Sequence, residues 1–231
     1  LLAMGGNDTV NGEAGDDHIE GGSGNDSLLG DLGNDYLLGD DGDDNITGGS
    51  GNDAIDGGLG NDKIYGEDGD DQIIDLQGIN VIEGGKGLDK ITTGDGVDSI
   101  TGGDGSDQID AGEGANKVYG DNGHDVIVTG SGKDTIYGGG GSDRIDAGAG
   151  DDVIYGEDNS GRPGIQDSKY TFTDTRIGND VIHVDEGNDT IYDNYYDVGP
   201  TASAQSQQAL YGDNGDDKIY GNGLLFGGEG Q

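Results

Sequence analysis

A single aliphatic residue recurs at every ninth position of this chain, and glycine, asparagine and aspartate fill most of the segments between. The period runs without a slip from Ala3 to Tyr155, and further nine-residue units follow at 175–183, 184–192 and 212–220. In all twenty units, position 8 is Val, Leu or Ile and position 4 is Gly. This period fits neither an amphipathic helix nor collagen, so each unit predicts a separate short element.

The two halves of each unit predict a very short strand and a tight turn. In "KIY" at 63–65 the aliphatic Ile64 is flanked by Lys63 and Tyr65, which carry polar groups. Strand alternation therefore places position 8 inward and positions 7 and 9 outward. The glycine-rich half predicts the turn. Two units then form one coil of 18 residues, with a strand on each side and a turn at each edge. The predicted fold is all-β, with coils stacked as parallel strands about 4.8 Å apart.

Composition and charge limit the classes of function that are compatible with this sequence. The chain has 49 acidic and 10 basic residues, a net charge of -39, and only 29% hydrophobic residues. Such a charge repels nucleic acid and anionic membrane surfaces, so we expect neither nucleic-acid binding nor membrane insertion, and the favoured partner is a cation. The chain has no cysteine, no apolar run long enough to cross a membrane, and no HExxH or GxSxG motif. We therefore predict that it is not an enzyme.

Position 6 supplies the candidate metal ligands. Calcium prefers six to eight oxygen ligands, and each turn offers backbone carbonyls and one carboxylate. One buried aliphatic side chain per unit cannot offset the cost of ordering nine residues, so calcium is expected to be part of the folding free energy. On the order of 15 ions would cancel about thirty of the negative charges. The candidate ligands are Asp8, Asp17, Asp26, Asp35, Asp44, Asp53, Asp62, Asp71, Asp89, Asp98, Asp107, Asp125, Asp134, Asp143, Asp152, Asp180, Asp189 and Asp217.

The units "GGSGNDSLL", "GGSGNDAID" and "GGLGNDKIY" resemble the repeats-in-toxin (RTX) nonapeptide GGxGxDxUx, the haemolysin-type calcium-binding repeat. The resemblance implies a right-handed parallel β-roll, an RTX-type β-solenoid. It implies calcium between neighbouring turns of one edge, bound by position-6 carboxylates and turn carbonyls. It also implies a bacterial protein that leaves the cell through a one-step, type I exporter and folds on meeting external calcium.

Two turns depart from the motif, because Asn80 and Asn116 replace the position-6 aspartate. Both fall on one edge of the predicted roll. An amide oxygen brings no charge, and calcium affinity depends on ligand charge. We therefore expect weaker sites beside Asn80, whose turn "DLQGIN" also lacks Gly at positions 1 and 2.

The repeat divides the chain into a regular roll, 1–155, and a continued roll with insertions, 156–231. Loops 156–170 and 193–208 are expected to bulge from opposite edges, and the short unit 221–226 is expected to lack a full site. Strands with Phe172 and Leu210 inward are predicted to continue the roll through the two insertions. The ends of the sequence suggest a fragment of a longer array.

One outer face carries the position-9 tyrosines Tyr65, Tyr119, Tyr137 and Tyr155, and the last three are predicted to stack on successive coils. Such a ladder either stabilises packing or docks extracellular polysaccharide or other copies of the chain. The predicted function is a calcium-folded structural region of a secreted or cell-surface protein of the surface-layer, extracellular-fibre or adhesin type. The alternative is an export and folding module of a secreted enzyme or toxin whose catalytic domain lies outside this chain.

Overall fold

The computed structural model describes residues 1–157, 181–184, 190–192, 209–212, 218–220 and 224–227, with side chains for residues 1–156. Every element in these ranges is a β-strand. No helix in this described part is long and apolar enough to cross a membrane.

The described strands form two parallel sheets, one of 12 and one of 11 strands, and consecutive strands alternate between them. The first sheet contains Leu2–Gly5, His18–Ser23, Tyr36–Asp41, Ala54–Asp56, Gln72–Gln77, Lys90–Asp95, Gln108–Asp110, Val126–Val128, Arg144–Asp146, Val181–Val184, Ala209–Gly212 and Leu224–Gly227. The second sheet contains Thr9–Asn11, Ser27–Leu32, Asn45–Ser50, Lys63–Asp68, Val81–Lys86, Ser99–Asp104, Lys117–Asn122, Thr135–Gly139, Val153–Glu157, Thr190–Tyr192 and Lys218–Tyr220.

The register of the strands is set by the double repeat. Ile64 is paired with Ile46 on one side and with Ile82 on the other, so each coil takes 18 residues. All pairings between the strands are parallel. The all-β solenoid predicted from the nine-residue period is therefore confirmed.

The core is a column of position-8 side chains that fills the space between the sheets. These residues are at most 2% exposed: Ile19, Leu28, Leu37, Ile46, Ile55, Ile64, Ile73, Ile82, Ile91, Ile100, Ile109, Val118, Ile127, Ile136, Ile145 and Ile154. Position 1 also points inward, two residues further along the chain, and its alanines Ala111 and Ala147 are fully buried. The expected inward placement of position 8 is confirmed.

Position 4 requires glycine for two reasons. Gly33 and Gly51 have φ of 146° and 131°, a region that L side chains rarely adopt. A Cβ on either would also collide with the backbone carbonyl of the position-4 glycine one coil earlier. The coils thus stack too closely for any other residue at this point of the turn.

Past the regular repeats the described strands continue both sheets, but Val181–Val184 belongs to the first sheet and not, as expected, to the second. Arg144–Asp146 pairs directly with Val181–Val184, so no further strand of that sheet lies between them. Phe172 lies outside the described residues, whereas Leu210 lies in a strand and pairs with Ile182. The division of the chain at residue 155 stays a prediction.

Both insertions begin and end at the same edge of the roll. Each connects a strand of the second sheet to one of the first, from Val153–Glu157 to Val181–Val184 and from Thr190–Tyr192 to Ala209–Gly212. The expectation of opposite edges was wrong. The expected strand at 170–174 would have placed Val181–Val184 in the second sheet, whereas this strand pairs with Arg144–Asp146 in the first.

The predicted tyrosine ladder is present on the outer face of the second sheet. The rings of Tyr119 and Tyr137 lie 4.7 Å apart at 10°, and those of Tyr137 and Tyr155 lie 4.7 Å apart at 3°. The strand register continues this column to Tyr192 and Tyr220, a continuation that the sequence alone did not reveal. Tyr65 is paired with Thr47 and Glu83 and stands apart from the ladder.

Candidate metal centre

Position-6 side chains line both edges of the roll. The asparagine edge, named for Asn80 and Asn116, leads from the first sheet to the second, and the aspartate edge leads from the second to the first. The asparagine edge runs Asp8, Asp26, Asp44, Asp62, Asn80, Asp98, Asn116, Asp134, Asp152, and the aspartate edge runs Asp17, Asp35, Asp53, Asp71, Asp89, Asp107, Asp125, Asp143. The remaining candidates Asp180, Asp189 and Asp217 lie outside the described residues.

From Asp26 onward, one oxygen of each position-6 carboxylate accepts a hydrogen bond from the coil before it. The backbone N–H of Asp17 donates to Oδ1 of Asp35 at 2.7 Å, and the N–H of Asp35 donates to Oδ1 of Asp53 at 2.7 Å. The asparagines keep this bond, since the N–H of Asp62 donates to Oδ1 of Asn80 at 3.0 Å. Position 6 therefore joins neighbouring turns even where the charge is absent.

The other oxygen of these carboxylates is buried without a hydrogen-bond donor. This holds for Oδ2 of Asp8, Asp26, Asp35, Asp44, Asp53, Asp62, Asp71, Asp89, Asp98, Asp107, Asp125 and Asp134. From Asp26 onward the side chains are at most 3% exposed. A buried carboxylate oxygen without a partner is costly, and a repeated column of them fits a bound cation.

Along the aspartate edge, and at Gly21, Gly39 and Gly57 of the asparagine edge, the space that Oδ2 faces is kept open by a glycine at position 1 and is bounded in the regular turns by a backbone carbonyl of the next coil. A Cβ built on Gly84 would lie 2.5 Å from Oδ2 of Asp89 and 2.7 Å from the carbonyl oxygen of Gly102. The equivalent distances from Gly102 are 2.5 Å to Oδ2 of Asp107 and 2.9 Å to the carbonyl oxygen of Gly120. Two oxygen atoms, one from a carboxylate and one from a carbonyl, face each such space. Oxygen is the donor atom that calcium prefers.

Burial raises the pKa of several position-6 carboxyl groups well above the ordinary value of 3.8. Desolvation raises the pKa of Asp71 and of Asp107 to about 7, with neighbouring carboxylates adding to the shift. Desolvation likewise raises the pKa of Asp44, Asp53 and Asp125 to about 6. The folded chain thus disfavours the negative charge that its own turns place there, and a divalent cation beside the carboxylate offsets that cost.

Each space is built mainly from backbone. Within residues 1–156, no three His, Cys, Asp or Glu side chains gather closely enough to hold a metal ion. A cation between two turns would therefore be held by one carboxylate and several carbonyls. Such a cage suits calcium, which accepts six to eight oxygens in flexible geometry.

A second side-chain ladder, at position 5, was missed by the sequence analysis. The N–H of Asn34 donates to Oδ1 of Asp16 at 2.9 Å, and the N–H of Asn52 donates to Oδ1 of Asn34 at 2.8 Å. These bonds run from the later coil to the side chain of the earlier one, opposite to those of position 6. The sequence signal for this ladder was the frequent Asn or Asp at position 5, as in the "GND" triplet. These residues are also typical of ordinary turns, so the signal was not recognised.

The histidines do not form a metal site where the structure describes them. The ring of His18 lies on the outer face, with Nε2 2.8 Å from Oε1 of Glu20. His124 takes a place in the position-5 ladder, where its Nδ1 accepts the N–H of Ser142 at 2.7 Å. The side chain of His183 lies outside the described residues.

The family model described as the RTX calcium-binding nonapeptide repeat matches most of the chain. The matched residues are 2–37, 38–73, 76–109, 92–127, 101–136, 128–161, 174–194 and 209–223. The chain belongs to this family. RTX repeats bind calcium, and this chain is a calcium-binding structural repeat region. No curated protein matches it.

Proposed function

We propose that this RTX chain is the calcium-folded structural region of a bacterial protein that is secreted or displayed at the cell surface, of the surface-layer, extracellular-fibre or adhesin type. The proposal is carried by the column of buried, donorless Oδ2 atoms along both edges. The proposed ligands are the position-6 aspartates of both edges together with Asp180, Asp189 and Asp217. On the order of 15 ions is the proposed content.

When bound, calcium supplies the positive charge that the buried carboxylates lack. The chain supplies the rest: along the aspartate edge, Oδ1 of an aspartate such as Asp35 or Asp53 accepts the N–H of the preceding turn, and Oδ2 faces the carbonyl of the following turn. A site is complete only when two neighbouring turns of one edge are both folded. This requirement couples calcium binding to stacking, so the proposed chain is unfolded without calcium and rod-like with it.

The scaffold role is favoured by the regularity of the coils and by the absence of a catalytic motif in the sequence. We propose the tyrosine ladder of Tyr119, Tyr137 and Tyr155 as the surface for extracellular polysaccharide or for further copies of the chain. Its rings share one plane orientation and one spacing, which suits a repetitive partner. The rival role, an export and folding module, requires an enzyme or toxin domain elsewhere in the parent protein. Mass spectrometry of the intact parent would reveal such a domain and overturn the scaffold assignment.

Circular dichroism tests the calcium requirement directly. In chelator at pH 8 we expect a spectrum of disordered chain, and after addition of millimolar calcium a β-rich spectrum with an elongated shape by small-angle scattering. A β-rich spectrum that persists in chelator at pH 8 would contradict the proposal.

A matched pair of variants tests the ligand assignment. Asp71→Asn removes a buried Oδ2, whereas Asp70→Asn makes the same charge change one residue earlier, on an exposed side chain whose Oδ1 accepts the N–H of Leu88. Native mass spectrometry at saturating calcium should count fewer ions for Asp71→Asn and the wild-type number for Asp70→Asn. Equal counts in both variants would show that the buried carboxylate is not a ligand.

A further inference from the structure

The gap between the Asp62 turn and the Asn80 turn contains a carboxylate that the nonapeptide motif does not supply. Asp75 occupies position 1, where the aspartate edge has glycine, and its side chain is fully buried. Its Oδ1 accepts only a long bond from the N–H of Gln77, at 3.4 Å, and its Oδ2 has no donor. The departure from the motif thus places a second buried charge at this edge.

The side chain of Asp75 points toward the preceding coil. The nearest atom to a Cβ built on Gly57 would be Oδ2 of Asp75, and Oδ2 of Asp62 would lie 2.9 Å from the same point. In the regular gaps this space is bounded by one carboxylate and the carbonyl of the next position-1 residue, as at Gly84. Here a second carboxylate oxygen is the nearest group in the place of that carbonyl.

We propose that Asp62 and Asp75 together form a two-carboxylate calcium site in this gap, in which the carboxylate of Asp75 takes the place of the backbone carbonyl of the regular gaps. This inference rests on the proposed function and revises the expectation of weak binding beside Asn80. The two unpaired oxygens face one space and repel each other unless a cation or a proton lies between them. Calcium affinity rises with ligand charge, so this gap binds more tightly than the gap that follows Asn80.

A shared proton is the competing explanation. Burial, followed by the charge of Asp62, raises the pKa of Asp75 to about 8, so a protonated pair is chemically accessible at neutral pH. Counting ions distinguishes the two, because a proton-sharing pair takes up no calcium.

The test compares calcium titrations followed by native mass spectrometry. Asp75→Asn leaves one carboxylate in the gap, so one of its ions should be bound with an affinity roughly tenfold lower than in wild type, whereas Asp71→Asn should lose one ion even at saturating calcium. Asp95→Asn is the matched control, since Asp95 is exposed, lies on the same edge and pairs with Gln77 in the sheet, and it should keep the wild-type titration. A wild-type titration in Asp75→Asn, with the ion count of Asp71→Asn reduced, would leave the proposed function intact and overturn this site. If no variant or wild type binds calcium, the proposed function itself fails.

A second variant guards against misfolding of the first. Asp75→Gly restores the residue that the motif prefers and is expected to fold in calcium. It leaves the gap with a single carboxylate, so one site should lose affinity by roughly tenfold or more in a calcium titration, in line with the lost ligand charge. Unchanged or tighter binding would refute the role of Asp75.

The Asn116 turn carries an independent inference. Its side-chain Nδ2 donates to the carbonyl oxygens of Ala111 at 2.9 Å and, more weakly, of Gly112 and Glu113 at 3.4 Å each. By contrast, Nδ2 of Asn80 reaches only the carbonyl of Gln77, at 3.5 Å. The amide of Asn116 is therefore bonded to carbonyls of its own turn, and the carbonyl of Ala111 also accepts the hydroxyl of Thr93, one coil earlier, at 2.8 Å.

We infer that the gap between the Asn116 and Asp134 turns takes up no calcium, because an amide bonded to its own turn stands in the place of the carboxylate and the buried methyl group of Ala111 stands in the place of the position-1 glycine. Anomalous scattering from crystals grown in calcium should show ions along the aspartate edge and none in this gap. A calcium peak beside Asn116 would overturn the inference, without bearing on the Asp75 site.

Discussion

The glycine at position 1 of the aspartate edge provides the sharpest test of where the cation lies. Gly84 does not adopt a positive φ, so an alanine there is conformationally allowed. Its methyl group would, however, enter the space between Oδ2 of Asp89 and the carbonyl oxygen of Gly102, at 2.5 Å and 2.7 Å. The Gly84→Ala variant therefore tests that space and little else.

Two effects set the size of the loss. Carbon–oxygen contacts normally begin at about 3.3 Å, so both oxygens must move, and overpacking of this kind costs about 1–3 kcal/mol. An ion held at a calcium concentration 100-fold above its Kd contributes about 2.7 kcal/mol, which is lost if the methyl group displaces it. We expect Gly84→Ala to lose about 4–6 kcal/mol of folding free energy in calcium.

Two measurements check this expectation: urea unfolding in buffered calcium, and native mass spectrometry for the number of ions. The matched control is Ala147→Gly, which makes the reverse change at position 1 of the other edge, where a methyl group is already accommodated. It should not lower the ion count, and it should lose only about 1–2 kcal/mol from the missing methyl group and the added chain flexibility. If Gly84→Ala kept the full ion count and the calcium midpoint of wild type, the cation would lie elsewhere in the turn.

Other parts of the roll yield further tests. Thr129 donates its hydroxyl to the buried carbonyl of Ala147 at 2.7 Å, so Thr129→Val should lose about 1–3 kcal/mol in urea unfolding while Thr135→Val, on the outer face, loses little; equal losses would contradict this. Burial raises the pKa of Asp71 and Asp107 to about 7, above the ordinary 3.8, so the calcium-free folded state binds more protons than the unfolded state between about pH 4 and pH 7. Its stability therefore falls as pH rises through that window, and circular dichroism in chelator should show more β-structure at pH 5 than at pH 8; the reverse order would refute the shift. Replacing the three ladder tyrosines by serine should spare calcium-induced folding and abolish polysaccharide binding or self-assembly, and unchanged binding in both assays would leave the ladder a packing feature.

The nine-residue period was sufficient to predict the coil. One aliphatic residue per unit determines which side faces inward, and the pairing of Ile64 with Ile82 follows from two units per turn. The length of the first insertion was ambiguous, because residues 156–174 are close in number to one whole coil. A strand and a long connection of that length fit the sequence equally well, and only the pairing of Arg144–Asp146 with Val181–Val184 separates them.

The inward direction of position 1 left almost no hydrophobic signal, because the residue there is usually glycine. From the sequence alone, Asp75 was therefore interpreted only as a departure from the motif, in a turn that also lacks the position-2 glycine and the position-6 aspartate. Its relation to Asp62 depends on the direction of one side chain across a gap between coils, and no spacing rule carries that information. The position-6 column was visible as a repeat in the sequence. The different roles of its two oxygens, with Oδ1 accepting a backbone N–H and Oδ2 buried without a donor, depend on side-chain geometry that no sequence pattern shows.

The two side-chain ladders of the turns run in opposite directions, and this has a mechanical consequence. At position 6 the later coil supplies the acceptor, as Asp53 does for Asp35, whereas at position 5 the earlier coil supplies it, as Asn34 does for Asn52. From Asn7 to Leu88, each junction between coils is thus held by two side chains that belong to different coils. A single substitution at position 5 or position 6 there removes one of the two bonds from one junction and leaves the other in place, so tension along the axis of the roll is still carried across the altered coil. A fibre built this way would tolerate scattered defects in its repeats without parting at any of them.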